Sequence, residues 1–277
     1  MDKVLVYEMW PLQVNDYDTK MKQIPMMKEL GVTHVLLRAN GNPDSLCEGN
    51  LFRKYHDFRE AVQKEGMKMI VGLDINIDLH EDYTPIYELY RTATHFVING
   101  TDGFYLIADK MKSETMITVV NELFSMGLPS HEHRGGVRPF LIIGSSDDPN
   151  DDYNFEKFKD TPVNFVDNLR IKDVEGENDP LKTLVHRVSK ACTIPKTAIS
   201  LETYGSKRIT STLGVSPIKV AEALFMNGPD CIILYQGQEL DMKDINTSYE
   251  NTFEFQKRSN NSTLSWYKFY IDRWKNI

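Results

Sequence analysis

Residues 101–127, TDGFYLIADKMKSETMITVVNELFSMG, place a short apolar run directly before an amphipathic segment. The run GFYLIA (103–108) lies between Asp102 and Asp109, and a continuous apolar run of this length is typical of a buried strand. The following segment, 113–127, has apolar residues at helical spacing and ends on a glycine, so it predicts an α-helix. The stretch is therefore one strand followed by one helix.

The same unit recurs along almost the whole chain. Apolar runs predict eight strands, at 4–9, 34–39, 67–75, 103–108, 138–144, 163–169, 197–202 and 231–237. Helical patterns predict helices at 21–31, 52–66, 84–100, 113–127, 180–192, 216–228 and 262–276. This alternation predicts a single α/β domain over residues 1–277, a (β/α)₈ TIM barrel. A doubly wound open sheet is the alternative, but no glycine-rich nucleotide motif follows the first strand.

Composition narrows the class of protein. The chain has 277 residues, 41% of them hydrophobic and 26% charged, with a net charge of −8. Such an acidic chain is not expected to bind nucleic acid or anionic membrane surfaces. No apolar run reaches the roughly 20 residues that span a bilayer, and the start of the chain does not resemble a signal peptide. The expectation is a cytosolic protein or an excised part of something larger.

Cysteines and glycosylation motifs give weaker indications. The three cysteines are widely spaced and are expected to be free, buried thiols: Cys47, Cys192 and Cys231. Four sequons suggest a secreted origin and are candidate N-glycosylation sites: Asn99, Asn246, Asn260 and Asn261.

Neither a metal nor a cofactor is expected. The nearest approach to a metal motif is HEH at 131–133, which is weak because no further ligand accompanies it. Two long acidic segments, 145–162 and 170–179, follow strands and would lie on the functional rim of a barrel. They are interpreted as solvated loops.

Six segments in order resemble the alpha-amylase family of glycoside hydrolases. They are MKELGVTHVLLRAN (27–40), GMKMIVGLDINID (66–78), TDGFYLIADK (101–110), SLETYGSKRITSTLG (200–214), NGPDCIILYQGQELDM (227–242) and STLSWYKFYIDRW (262–274). The resemblance implies an amylase-like barrel with only a small insertion after strand two or three. The C-terminal β-sandwich typical of the family has no counterpart in the sequence.

The resemblance also implies that the family's catalytic groups are replaced. Retaining glycosidases use a carboxylate nucleophile and a carboxylic acid about 5–5.5 Å apart. The third-strand aspartate matches Asp74, and Asp78 with Leu79 replaces the Asn-His that should follow it. The remaining matching positions have lost the family's catalytic groups: Tyr105, Ile107, Ser145, Tyr204 and Gly205. An isoleucine cannot attack an anomeric carbon, and a serine without a neighbouring histidine is a poor general acid.

The chain is therefore expected to be a pseudoenzyme, and it most resembles the ectodomain of the heavy chain of heteromeric amino-acid transporters. That resemblance implies a glycoprotein domain on the extracellular side of the plasma membrane. It also implies a membrane transporter light chain as partner, and a role in partner recognition and surface expression. The transmembrane helix and membrane-proximal cysteine of that class are not in this sequence.

Two alternatives remain open. One is an α-glucosidase or transglycosidase with relocated carboxylates, drawn from Asp109, Asp147 and Glu202. The other is a sugar-binding module in which Tyr105, Tyr204 and Tyr235 stack on sugar rings.

Overall fold

The strands form one closed barrel, as predicted. The computed structural model describes residues 3–10, 16–38, 49–75, 84–107, 111–128, 138–144, 155–167, 178–203, 206–243 and 248–277. The eight strands are β1 (Val4–Met9), β2 (His34–Arg38), β3 (Lys68–Asp74), β4 (Gly103–Ile107), β5 (Phe140–Gly144), β6 (Phe165–Asp167), β7 (Thr197–Ser200) and β8 (Cys231–Tyr235). Each strand pairs in parallel with the next, and β8 pairs in parallel with β1. The prediction of a (β/α)₈ barrel is confirmed.

Helices follow the strands and form the outer layer. They are α1 (Tyr17–Leu30), α2 (Gly49–Lys64), α3 (Thr84–Ile98), α4 (Ser113–Ser125), α5 (Phe155–Phe158), α6 (Pro180–Ala191), α7 (Ile209–Leu213), α8 (Pro217–Phe225), α9 (Tyr249–Lys257) and α10 (Thr263–Lys275). A 3₁₀ turn, Gln238–Leu240, follows β8. The short helices α5, α7 and α9 were not predicted, because none carries a long apolar period.

Alternation along each strand divides the core into two layers. In β1, Leu5 and Tyr7 point outward and pack against the helices, whereas Val4 and Val6 point into the barrel. The interior is filled by apolar side chains from all eight strands. The barrel is therefore a packed core and not a pore, as expected for eight strands.

A histidine is buried at the amino-terminal end of the barrel interior. The His34 ring packs on Phe140, with ring centroids 4.4 Å apart, and its Nδ1 lies 2.9 Å from the Thr33 hydroxyl. Burial, with a smaller effect of the Lys68 charge, lowers the pKa of His34 to about 3. The imidazole is therefore neutral in the folded protein at any pH near neutrality.

This burial predicts loss of stability in mild acid. Below pH 6.5 the unfolded chain takes up a proton on His34 that the folded chain does not, so unfolding becomes easier as pH falls towards 3. Each pH unit costs up to about 1.4 kcal/mol. Between pH 7 and pH 5, urea unfolding should show the parent losing about 2 kcal/mol more than His34→Gln. Equal losses of stability in the parent and in His34→Gln would contradict the assignment of His34 as a buried, neutral imidazole. Glu202 and Glu239, whose pKa values are raised by burial, act in the opposite direction but are present in both proteins.

Candidate functional site

Three charged side chains meet where β1, β2 and β3 end. Glu8 and Arg38 point inward, and the Arg38 Nε lies 2.8 Å from the Glu8 Oε1. The Arg38 Nη1 lies 3.8 Å from the Asp74 Oδ1. Thr203, just after β7, completes the group: its hydroxyl accepts a hydrogen bond from Arg38 Nη2 at 2.6 Å and donates one to Glu8 at 2.9 Å. We call these four residues the mouth cluster.

Exposure within the mouth cluster is graded. The Glu8 side chain is 1% exposed and that of Arg38 12%, whereas that of Asp74 is 53% exposed. A buried carboxylate is tolerated only when it is paired, because removing the charge from water is costly. Arg38 therefore holds Glu8 inside the barrel and presents its outer edge to Asp74, the residue that matches the third-strand aspartate.

A second buried carboxylate lies deeper, at the end of β6. Asp167 is fully buried and accepts hydrogen bonds from the hydroxyls of Tyr105, at 2.8 Å, and Ser200, at 2.5 Å. The Ser200 backbone N–H donates to its other oxygen at 3.0 Å. The ring of Tyr105 is consequently fixed inside the barrel, where it packs with Ile107 among the inward-facing core residues.

Glu202 lies beyond β7 with both carboxylate oxygens engaged. Arg208 Nη1 donates to one oxygen at 2.7 Å, and the backbone N–H of Ile209 donates to the other at 2.7 Å. Burial raises the pKa of the Glu202 carboxyl, and the Arg208 charge opposes that rise. The Arg208 guanidinium also lies over the ring of Tyr235, 5.0 Å from its centroid. Glu202 therefore orders the start of α7.

Glu239, in the turn after β8, is fully buried. Its Oε1 accepts hydrogen bonds from the hydroxyls of Tyr7, at 2.8 Å, and Tyr249, at 2.6 Å. Burial raises the pKa of this carboxyl. The group ties the turn to β1 and α9, and it belongs to the segment 227–242 that carries part of the resemblance.

Sequence reasoning missed the buried charges Glu8, Arg38 and Asp167. A signal was present, because each is the last inward-facing residue of an otherwise apolar strand. In a barrel such positions lie at the rim where functional groups gather.

Several of the predicted site residues lie outside the described residues: Asp78, Asp109, Ser145, Asp147, Tyr204 and Gly205. The same holds for Asn246, Cys47 and the histidines of 131–133. The relocated pairs that combine Asp109 or Asp147 with Glu202 are therefore not placed.

The remaining sequons and thiols are placed. Asn260 and Asn261 are exposed in the turn between α9 and α10, whereas the Asn99 amide donates to the His95 carbonyl at the end of α3. Cys231 is buried and Cys192 half-buried, and both are free. Burial raises the pKa of Cys192 to about 11, so its thiolate is scarce near neutral pH.

One predicted solvated loop is in part wrong. Residues 155–158 form α5, and Phe155 and Phe158 are buried against the barrel. Two aromatic side chains at i and i+3 lie on the same side of a helical turn, which anchors this part of the segment.

The described residues contain neither a candidate metal-binding group nor a candidate membrane-spanning helix. None of the described histidines, cysteines, aspartates and glutamates forms a group of three or more that could hold a metal ion. No helix within the described ranges is long and apolar enough to cross a membrane.

Comparison with known proteins identifies the fold. No protein-family model matches the sequence, and no curated protein matches it. Solved structures do match. The trehalose-6-phosphate hydrolase of Bacillus licheniformis has a TM-score of 0.69 at 13% identity, over 100% of this chain and 84% of that one.

Two alpha-amylases match at similar levels. The maltogenic enzyme of Thermotoga neapolitana has a TM-score of 0.64 at 12% identity, over 99% of this chain and 77% of that one. The alpha-amylase of H. orenii has a TM-score of 0.64 at 12% identity, over 98% and 81%. At such identities the likeness shows the fold alone. The structural neighbours are glycoside hydrolases of the alpha-amylase family, and this chain has the amylase-like (β/α)₈ barrel fold.

Proposed function

We propose that this chain is a non-catalytic amylase-like barrel that acts in the recognition of a partner protein. The observation that carries the proposal is the burial of Tyr105 and Ile107, at 2% and 3% exposure. The resemblance aligns these positions with the family's arginine and nucleophile. Here one side chain is hydrogen-bonded to Asp167 and the other is packed in the barrel interior.

Three of the described carboxylates near the mouth support the proposal. Glycoside hydrolysis needs one carboxylate free to attack or to activate water and one carboxylic acid free to protonate the leaving group. Glu8, Asp167 and Glu202 are at most 2% exposed, and cations or hydrogen-bond donors hold each of them. A carboxylate that is buried and held by such partners is not open to a sugar.

The specific form of the proposal is a heavy-chain ectodomain of an amino-acid transporter. Its support is the sequence resemblance together with the exposure of Asn260 and Asn261, which leaves room for glycans in the turn after α9. A light-chain transporter would then be the partner. Surface labelling of such a light chain, expressed with and without this domain in its full-length context, should show more light chain at the cell surface with it. Equal labelling would sink this form of the proposal.

The hydrolysis test addresses the absence of catalysis directly. Purified protein at high concentration should release no product above background from p-nitrophenyl α-glucoside, maltose or trehalose 6-phosphate. An active alpha-amylase family enzyme in parallel assays is the positive control. Turnover that co-purifies with the chain and disappears in Asp74→Asn or Glu202→Gln would overturn the proposal.

A rebuilt hydrolase is the second candidate function. Asp74 is a half-exposed carboxylate at the mouth, and the raised pKa of Glu202 is the direction that a general acid requires. A sugar-binding module has less support, because the rings of Tyr105 and Tyr235 are 2% and 6% exposed and offer little face for stacking. The hydrolysis assay separates the rebuilt hydrolase from the proposed function.

A further inference from the structure

The outer face of α6 carries a row of exposed basic side chains. Lys182, His186 and Lys190 are exposed at i, i+4 and i+8, so they lie in one line along the helix, and exposed Arg187 lies beside them. We call these four residues the basic ridge. The opposite face of α6 is apolar and buried against the barrel.

Among the described residues, the basic ridge has no acidic side chain in an ion pair with it. The helix itself contains no acidic residue after its N-cap, Asp179. Within the described ranges, no ion pair or side-chain hydrogen bond involves the ridge side chains. Two lysines on α9 and α10 provide a contrast, because Lys257 and Lys268 both contact Glu29, at 2.7 and 2.6 Å.

This arrangement is unfavourable for the isolated chain. Arg187 and Lys190 lie at i and i+3 on this helix, and like charges at neighbouring helix positions repel by a few tenths of a kcal/mol. The chain has 40 acidic residues against 32 Lys and Arg, yet α6 contains none after its N-cap, Asp179. A negatively charged partner would remove the repulsion.

An apolar groove adjoins the basic ridge. It has a volume of about 550 Å³ and is lined by Asp179, Leu181, Lys182, Val185, His186 and Ser189. Val185 is 40% exposed there. A ligand that covers both features must present negative charge along one line and an apolar group beside it.

We propose that the basic ridge and its groove bind an extended acidic segment of a partner protein, with one apolar side chain of that segment in the groove. The distance from Lys182 to Lys190 is about 12 Å along the helix. An extended peptide covers this distance with about four residues, at roughly 3.3 Å each.

A peptide fits better than an anionic bilayer. The net charge of −8 opposes approach to an anionic membrane as a whole, whereas a short acidic segment contacts only the ridge. The apolar lining of the groove also suits a side chain, which a headgroup does not offer. The inference rests on the proposed role in partner recognition, but its test measures peptide binding and is independent of the hydrolysis assay.

Fluorescence anisotropy with a defined probe tests the inference. The probe is a labelled seven-residue peptide of Glu and Asp with a central Leu. Lys182→Glu combined with Lys190→Glu should weaken binding at least tenfold. The control combines Lys22→Glu with Lys64→Glu, two exposed lysines on α1 and α2 that give the same change in net charge. The control should stay within twofold of the parent.

A second comparison tests the groove. Val185→Ser should weaken binding of the Leu peptide several-fold and leave an analogue with central Ser unchanged. Equal binding by the ridge variant and the control variant would overturn the inference. The inference would also be overturned if the parent did not bind the peptide but did bind phosphatidylserine vesicles through Lys182 and Lys190. Circular dichroism melting of each variant verifies that the fold is intact.

Discussion

Arg38→Met should destabilise the protein by about 3–5 kcal/mol, because removing one partner of a buried ion pair leaves the other charge buried and uncompensated. Glu8 is 1% exposed and has the Arg38 guanidinium 2.8 Å away. The Thr203 hydroxyl, which bonds to both, is too weak a donor to replace a cation. Chemical denaturation at pH 7 measures the loss.

A double substitution separates the effect of the ion pair on stability from the effect of side-chain packing. Glu8→Leu combined with Arg38→Met removes both charges and should recover most of the loss, because an apolar pair of similar volume is often as stable as a buried ion pair. Arg91→Met, at an exposed position of α3, is the matched control and should stay within about 0.5 kcal/mol of the parent. If Arg38→Met also stays within that range, the Glu8 carboxylate does not depend on Arg38.

Gly103→Ala is expected to be among the most damaging single-methyl changes in the chain, at about 3 kcal/mol or more, since overpacking a rigid core shifts backbone. A Cβ at Gly103 would lie 2.0 Å from the carbonyl oxygen of Phe140 on the neighbouring strand. Phe140 cannot withdraw easily, because its ring packs against both His34 and Phe165. The expected result is a chain that is insoluble or unfolds at much lower temperature.

Gly72→Ala on the adjacent strand is the matched control. A Cβ there would lie 3.1 Å from the Arg38 Cγ and 3.5 Å from the Arg38 Cα, so its contact with backbone is at ordinary van der Waals distance. The control should lose no more than about 1.5 kcal/mol. Similar melting temperatures for the two alanine variants would show that β4 and β5 separate more readily than their contacts indicate.

The sequence predicted the architecture well because its strongest signal, apolar runs alternating with helical periods, is a property of each segment alone. The strand at 103–108 and the helix at 113–127 appear in the structure as β4 and α4, within two residues at each end. The short helix α5 was missed, because two buried phenylalanines in an acidic segment give no periodic signal. The helix α9 was missed for a similar reason, since three polar residues separate its two buried aromatics, Tyr249 and Phe253.

The site was less accessible to prediction, because it depends on which strand ends face one another. The positions of Tyr105 and Ile107 came from family resemblance, and the structure places both inside the barrel. Nothing local to β1 or β2 shows that Glu8 and Arg38 make a pair, because the two residues become neighbours only when the two strands pair. A charged residue at the last inward-facing position of a strand can be recognised in the sequence, but the residue that pairs with it cannot.

Asp167 has a consequence for the continuity of the barrel. The ladder is shortest at β6, where three residue pairs join it to β5 and two join it to β7. Between β6 and β7 the Asp167 carboxylate takes the place of backbone hydrogen bonds, because it accepts a hydrogen bond from the Ser200 N–H on β7. It also accepts one from the Tyr105 hydroxyl on β4. The side chain of Asp167 thus adds hydrogen bonds to the barrel where the pairing between strands is shortest. Because Asp167 is committed to these structural hydrogen bonds, its carboxylate is not free to take part in catalysis. Any chemistry at this rim therefore requires other residues.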